Sequence, residues 1–419
     1  MLRASFTVRA LSHFLRVVRV TWGDGTESTY PSTWLRASVR DSQFFDDSCE
    51  YHQGHSAFVR KGLPIVAVEH TAEENIRVQW EDHSSSFSVP WLRVQDTQNL
   101  KDLVKPIVEE ALWTSENELP RYEYSAKEER FESWMKDLCK WGAICVHGCP
   151  LTEKGVVDFL TMIAPLWPRT YHPTNVTHLQ ATPKTKSVQL SYAVKHLELH
   201  TDYADYFPPP KLVGLLCTEL NAPKQYTTTF IADGFKVLHD LRQVDPEAFH
   251  VLSTTPLRRG RHRLVTEEEC DPSKVRMYQR SFILEEPVVC MEGNNFKRIH
   301  LRRGKDVGIS LGTCDDECMR KYYEAYGKLY DLISDPKYTQ GFVLKPGMML
   351  VFDNYRVCHG RSEIHPSTHR VAKSAYIAEE GWHNRWRLML GQMSGLDTKW
   401  LYGCSDEALA VLAQRNLNS

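Results

Sequence analysis

Two histidines, one aspartate and one arginine in this 419-residue chain have the types and spacing to build a metal centre with an anion held beside it. His200 and Asp202 flank Thr201 in the run LELHTDY. Read as a strand, positions i and i+2 leave the same face, so an imidazole and a carboxylate stand side by side. Alone the pair means little, because 18 His in the chain give about one chance His-x-Asp. A partner lies downstream: PGMMLVFDNYRVCHGR turns at Pro346-Gly347, runs a buried strand and delivers His359 just past its end. Two imidazoles and one carboxylate form the facial set that leaves positions open on Fe(II) for a bidentate 2-oxo acid and O2. Arg370 then opens RVAKSAY, where alternation puts Arg370, Ala372, Ser374 and Tyr376 on one face. A guanidinium aimed into a protein interior needs a carboxylate, and a substrate-derived one is the natural candidate. These residues leave three classes open: an iron oxygenase, a zinc hydrolase on the same triad, and a non-catalytic β-barrel adaptor. A hydrolase would need neither Arg370 nor oxygen, and an adaptor would tolerate loss of His200.

The elements that must position these residues are mostly strands. From about residue 187 short strand-like runs recur: SVQLSYAV, LVGLLCTEL, TTTFIADGF, RSFILEEPVVCME, FKRIHL, GFVLKPGMMLVF and VAKSAYIAE. Helical insertions (FKVLHDLR and CMRKYYEAYGKLYDLI) interrupt them. The pattern is mainly β with helical insertions, a barrel or double-sheet jelly roll. Ahead of it, KEERFESWMKDLCKWG puts Phe131, Trp134, Met135 and Leu138 on one helical face stopped by Gly142, and VVDFLTMIAPLW (156–167) reads as a second buried helix. At the front, RVTWGDGTESTYPSTWLR (19–36) is echoed by RVQWEDHSSSFSVPWLR (77–93). Each copy is a hairpin pattern ending in Trp-Leu-Arg, and Trp22, Trp34, Trp80 and Trp91 can share one small core. The expected organisation is a β module over 1–96, a polar linker over 97–125 and a large domain over 126–419.

Composition sets the boundaries of function. Lys+Arg 51 against Asp+Glu 53 gives a net charge of −2, which argues against a chain-wide basic surface for nucleic acid. No run approaches the length of a membrane span. Eleven cysteines without a framework spacing read as free thiols in a reducing compartment. Arg3, Arg9, Arg16 and Arg19 before the first acid fit a basic arm or a mitochondrial presequence. The cytoplasm is the expected location and the mitochondrial matrix the alternative.

The ordered set LHTDY (199–203), DGF (233–235), LKPGMMLVFDNYRVCHGR (344–361) and RVAKSAY (370–376), behind paired Trp-Leu-Arg hairpins, resembles the γ-butyrobetaine dioxygenase family, which also holds the trimethyllysine dioxygenases. The resemblance covers almost the whole chain. It implies a double-stranded β-helix catalytic domain, Fe(II) on His200, Asp202 and His359, and Arg370 on the C5 carboxylate of 2-oxoglutarate. O2 is then the second co-substrate, with ascorbate in support. The implied reaction hydroxylates a small trimethylammonium compound, foremost γ-butyrobetaine to L-carnitine, with trimethyllysine or a trimethylaminoalkylphosphonate as alternatives. The family's aromatic cage for the ammonium head maps onto Tyr171, Tyr192 and Tyr376, whose ring faces would attract a cation that cannot hydrogen-bond. Family members are commonly homodimers.

Four departures bear on substrate. The family's cage Trp falls where this chain reads TNVTHLQ (174–180). Its paired asparagines near the substrate carboxylate correspond to IHLRR, placing Arg302 and Arg303 there. An Asn upstream of the cage becomes Gln189, and a glycine pair before DGF is replaced by KQYTTTFIA. An arginine in place of asparagine would either favour a more anionic head, such as a phosphonate, or make only a surface contact. The family's N-terminal zinc cysteines are also missing; Cys49, His52, His55 and His83 are the nearest substitute set.

Overall fold

The computed structural model describes residues 16–22, 25–39, 41–46, 51–52, 55–60, 62–71, 75–95, 110–125, 131–168, 175–181, 194–221, 227–264, 279–310, 312, 314–365 and 367–393. The chain divides into two compact units, Met1–Ile107 with Leu388–Ser419, and Val108–Arg387.

In the first unit the echoed segments form a strand pair, Val17–Thr21 with Glu27–Pro31, and a three-stranded sheet of Ile65–Thr71, Asn75–Trp80 and Ser84–Ser88. Each Trp-Leu-Arg falls in a short helix, Ser32–Ala37 or Val89–Gln95. Alternation along the strands sends Val18, Val20, Ile76, Val78, Trp80 and Phe87 into one core with Trp22, Leu35 and Leu92. Trp34 and Trp91, the matched tryptophans of the repeat, stack at 5.5 Å. His83 has both ring nitrogens engaged, Nε2 with Asp41 Oδ2 at 2.5 Å and Nδ1 with Gln43 at 2.8 Å, so neither is free for zinc. Cys49 and the side chains of His52 and His55 lie outside the described residues.

The second unit is a double-sheet jelly roll. One sheet runs Thr177–Ala181, His369–Ile377, Leu212–Asn221, Met349–Asp353, Ala143–His147, Arg121–Glu123; the other runs Leu197–His200, Val357–Arg361, Thr229–Asp233, Thr339–Phe342. All pairings are antiparallel except the last of the first sheet. Between the sheets lie Val213, Leu215, Ile231, Leu350, Phe352, Val357 and Ala372. A second core packs the helices Gly234–Val244, Pro246–Thr254 and Asp316–Ser334 through Phe235, Leu238, Phe249, Tyr322, Leu329 and Ile333. Helix Phe131–Trp141 buries the expected Phe131, Trp134, Met135 and Leu138 and ends at Gly142, whose φ of +72° suits a residue without a Cβ.

Three expectations are corrected. The linker reading fails for 110–125, because Trp113 and Leu119 fill the inter-sheet core and Arg121–Glu123 pairs with the sheet edge. Trp113 is fully buried and its indole donates to Trp141 O. The second helix is Glu153–Thr161 and stops short of 167; Pro165 disfavours helical geometry at Ala164, and the chain then runs extended, with Trp167 N donating to Tyr376 O. Finally, the strand carrying His200 ends at His200, so Asp202 stands in the following turn.

Candidate active site

His200 and His359 face each other directly in the register of strands Leu197–His200 and Val357–Arg361, with ring centroids 4.3 Å apart. The glycine after His359 permits that pairing: a Cβ on Gly360 would sit 2.6 Å from Leu197 O. Asp202 reaches the pair by a different device. Asn354 accepts from Asp202 N at 2.7 Å, and its Nδ2 donates to Asp202 O and Pro210 O at 2.9 and 3.0 Å. Thr201 is pinned to the chain ahead of Arg302, its N to Leu301 O at 2.8 Å and its Oγ1 from Leu301 N at 3.1 Å.

The donor atoms of His200, Asp202 and His359 lie within 4.8 Å of one another. His200 Nδ1 donates to Glu198 O at 2.8 Å, leaving Nε2 as the bare nitrogen, 3.4 Å from Asp202 Oδ1. His359 Nε2 lies 3.7 Å from Asp202 Oδ2. Burial pushes His359 down to about 3, with His200 beside it adding to the shift. His200 is lowered by burial and by the Arg302 charge. Burial opposes the Asp202 charge, but His359, His200 and Arg302 outweigh it and hold the carboxyl far below its ordinary range. Two neutral imidazole lone pairs and one carboxylate aimed at a common point are the donors a divalent transition ion takes, so these residues fit iron.

Arg302 Nη1 donates to Asp202 Oδ1 at 3.1 Å, and Tyr376 OH donates to Oδ2 at 3.0 Å. Arg302 thus belongs to the site; Arg303 does not, its guanidinium lying over Tyr330 and half exposed beside Glu198. The Tyr376 ring packs edge-on against Tyr203 at 5.1 Å, and Trp167 packs on both, at 4.9 Å from Tyr203 and 6.2 Å from Tyr376. Tyr203 holds a φ of +54°, a left-handed conformation that a bulky residue adopts at a cost. Tyr171, Gln189 and Tyr192 lie outside the described residues. Asn354, Trp167 and Tyr203 were missed as site residues, although Asn354 stood in the FDN run and Tyr203 beside Asp202.

Arg370 lies on strand His369–Ile377, opposite Leu220 and Ala181, and is 6% exposed. Among the described residues no carboxylate pairs with it, and burial pushes its pKa down. A further cluster of potential metal ligands, Glu286, Cys290 and His300, is already occupied. Arg298 donates to both Glu286 oxygens at 2.8 and 2.9 Å and to His300 Nε2 at 2.9 Å.

The profile of the TauD, TfdA family of taurine catabolism dioxygenases matches residues 104–376, and that of the γ-butyrobetaine hydroxylase-like N-terminal region matches 10–94. Relatives include the γ-butyrobetaine dioxygenase of Pongo abelii, 26% identical over 377 residues that cover 84% of this chain and 88% of that protein. The Pseudomonas sp. γ-butyrobetaine dioxygenase is 25% identical, covering 85% and 88%. The trimethyllysine dioxygenase of Meyerozyma guilliermondii is 22% identical, covering 91% and 95%. With the profile spanning the larger unit's two sheets, the chain belongs to the TauD, TfdA family and is a 2-oxoglutarate-dependent dioxygenase.

Proposed function

We propose that the protein hydroxylates a small trimethylammonium compound, foremost γ-butyrobetaine to L-carnitine, with His200, Asp202 and His359 holding Fe(II) and Arg370 holding the C5 carboxylate of 2-oxoglutarate. The observation that carries this reading is a buried donor set of two neutral imidazoles and a carboxylate in one unit with a buried arginine that no described acid neutralises. When bound, iron with 2-oxoglutarate and O2 supplies an oxidant for an unactivated C–H bond, yielding succinate and CO2. Ascorbate would keep the metal ferrous. The chain's own part is placement. Asn354 fixes the backbone of Asp202, Tyr376 OH fixes one carboxylate oxygen, and the Glu198 carbonyl fixes the His200 tautomer. Tyr171, Tyr192 and Tyr376 are the proposed faces for the ammonium head, with Gln189 as a further substrate contact and Arg302 toward the anionic end.

Arg302 supports ordering the candidates. A guanidinium at Asp202 favours an anion without a neighbouring ammonium, which suits γ-butyrobetaine or a trimethylaminoalkylphosphonate better than the α-amino acid end of trimethyllysine. The test is 2-oxoglutarate turnover under air with ferrous iron and each of the three amines in competition, with mass spectrometry for gain of one oxygen atom. Turnover with none of them would overturn the substrate reading; reaction of the phosphonate alone would keep the chemistry and drop carnitine.

We place the protein in the cytoplasm, with the mitochondrial matrix as the alternative. The described cysteines are all free thiols, as both reducing compartments favour, and no described helix is long and apolar enough to cross a membrane. Imaging a C-terminal tag decides between the compartments. A homodimer is the proposed assembly, to be read by light scattering.

A further inference from the structure

We propose that Tyr376, Tyr203, Trp167 and Tyr206 form an electron relay that discharges the iron site when oxygen is activated with no amine bound; this rests on the iron and 2-oxoglutarate reading above. Tyr376 is the inner end. It is 4% exposed, and its hydroxyl donates to Asp202 Oδ2 at 3.0 Å. Tyr203 stands edge-on to it with ring centroids 5.1 Å apart, and Trp167 meets the same ring at 6.2 Å. Trp167 and Tyr203 are themselves 4.9 Å apart. Tyr206 completes the cluster, 5.1 Å from Tyr203 and 5.7 Å from Trp167. Trp167, Tyr203 and Tyr206 are half-buried, so the contacts run from a buried hydroxyl at the site toward solvent. Local structure builds the path. Tyr206 N donates to Tyr203 O at 2.9 Å, a turn that draws the two rings together just after Asp202. Trp167 is tied to Tyr376 through its backbone, N to O at 2.7 Å.

Packing alone would be served by phenylalanine, whose ring makes the same edge contacts. The chain uses one on another flank of the site, where Phe352 packs on His359 at 4.8 Å. The cluster instead holds three phenols and an indole, which yield an electron to a strong oxidant where a plain benzene ring does not. Tyr203 also keeps its place at the cost of a φ of +54°, a strain that clusters at working sites. With no amine to oxidise, returning the iron site to the ferrous state takes two electrons and two protons. Tyr376 supplies one electron and passes its phenolic proton along the hydrogen bond to Asp202. Tyr203 or Trp167 then refills Tyr376, and the missing electron moves outward. At Trp167 or Tyr206 an enediol reductant, ascorbate, gives up one electron and one proton. Two such passages consume two ascorbate anions and yield two ascorbyl radicals, and the activated oxygen atom leaves as water.

The experiment loads the full chain anaerobically with Fe(II) and 2-oxoglutarate, mixes it with oxygenated buffer and no amine, and freezes it for electron paramagnetic resonance. One batch carries ring-deuterated tryptophan. An organic radical should appear as succinate forms, with a share on an indole that narrows on deuteration, and ascorbate should remove it. Trp167→Phe should abolish the indole share. Trp167→Phe combined with Tyr203→Phe should hold the radical on Tyr376 and slow its removal by ascorbate. The same double variant should gain severalfold more oxygen on its own peptides per succinate formed, read by mass spectrometry. A merely structural role would change metal or 2-oxoglutarate binding without moving the radical from one ring type to another. The proposal is overturned if succinate forms and no organic radical appears, if the indole share survives Trp167→Phe, or if succinate forms only when an amine is bound. Should the variants fail to fold, the unaltered chain still decides, because a radical that does not respond to deuterated tryptophan overturns the relay. Those results leave the oxygenase reading standing. No succinate with or without any amine would instead defeat the iron and 2-oxoglutarate reading, and the relay with it.

Discussion

Arg356 and Arg370 are buried guanidiniums of the same unit with opposite surroundings. Arg356 forks onto Asp233, Nε to Oδ1 at 3.0 Å and Nη2 to Oδ2 at 2.7 Å, and its remaining donors reach Lys140 O and Ala111 O. Burial opposes its charge, but Asp233 more than offsets this and its pKa is raised. Arg370 meets no described acid, and burial lowers its pKa. The same side chain is therefore a fold element where the protein supplies the anion and a binding element where the protein withholds it. The DGF run belongs to the first kind: Asp233 pairs Arg356 and caps helix Gly234–Val244 through the amides of Phe235 and Lys236.

The largest effect should come from breaking the satisfied pair. Arg356→Met leaves Asp233 buried without its cation, and should lower unfolding free energy by about 3–5 kcal/mol in a denaturant titration. Arg370→Gln should do the reverse. It should weaken 2-oxoglutarate by about 2–4 kcal/mol, read by calorimetry, while stability stays level or improves because an uncompensated buried charge is gone. Equal destabilisation by both variants would erase the distinction between them.

The Arg298 cluster sharpens the comparison through pH. It is of the satisfied kind, with Glu286 and His300 around one guanidinium. His300 is held neutral, pushed down from 6.5 to about 4 by burial despite Glu286, with Arg259 and Arg298 adding to the shift. Its stabilising share is full above the unfolded value and is lost as pH falls from about 6.5 toward 4. Glu286, lowered to about 2 by His300 and Arg298 against the effect of burial, loses its share only below about 4.5. Between pH 6.5 and 4.5 His300 therefore contributes about 1–3 kcal/mol to a slope it shares with the buried His200 and His359, and His300→Gln should reduce the slope by that share. An unchanged slope would assign acid sensitivity elsewhere.

What could be read from the chain was whatever lies within one strand or helix. Arg370 at the head of its strand and the apolar face of helix Phe131–Trp141 follow from local spacing, whereas His359, expected just past the end of the strand before it, stands within a strand of its own, Val357–Arg361. What could not be read joins distant segments. Asp202 is set by Asn354 and touched by Arg302, one hundred or more residues away in sequence. Nothing in the spacing of HTD announced that its aspartate would leave the strand. Trp167 reached the site because Pro165 ended a helix that apolar content alone would have continued. Residues 110–125 looked like a linker because a polar average hid Trp113 and Leu119.

The smallest expected effect separates two roles in one residue. Tyr376 carries a ring face, proposed for the ammonium head, and a hydroxyl that donates to Asp202 Oδ2 at 3.0 Å. Tyr376→Phe keeps the face and removes the hydroxyl. A hydrogen bond to a charged carboxylate beside a metal is worth about 1.5 kcal/mol at the low end, so divalent metal affinity should fall about tenfold. Affinity for γ-butyrobetaine should hold, since cation–π attraction needs the ring and not the hydroxyl. Tyr376→Ala removes both and should lower metal and substrate affinity together. Ser374, whose Oγ lies 3.3 Å from the Tyr376 hydroxyl, is left in place in each variant. The reading is anaerobic: Co(II) titration followed by absorbance, then γ-butyrobetaine titration of the loaded protein. If Tyr376→Phe loses the amine while keeping the metal, the hydroxyl faces substrate and not Asp202, and Tyr376 moves from the satisfied side of the comparison to the side that waits for a ligand.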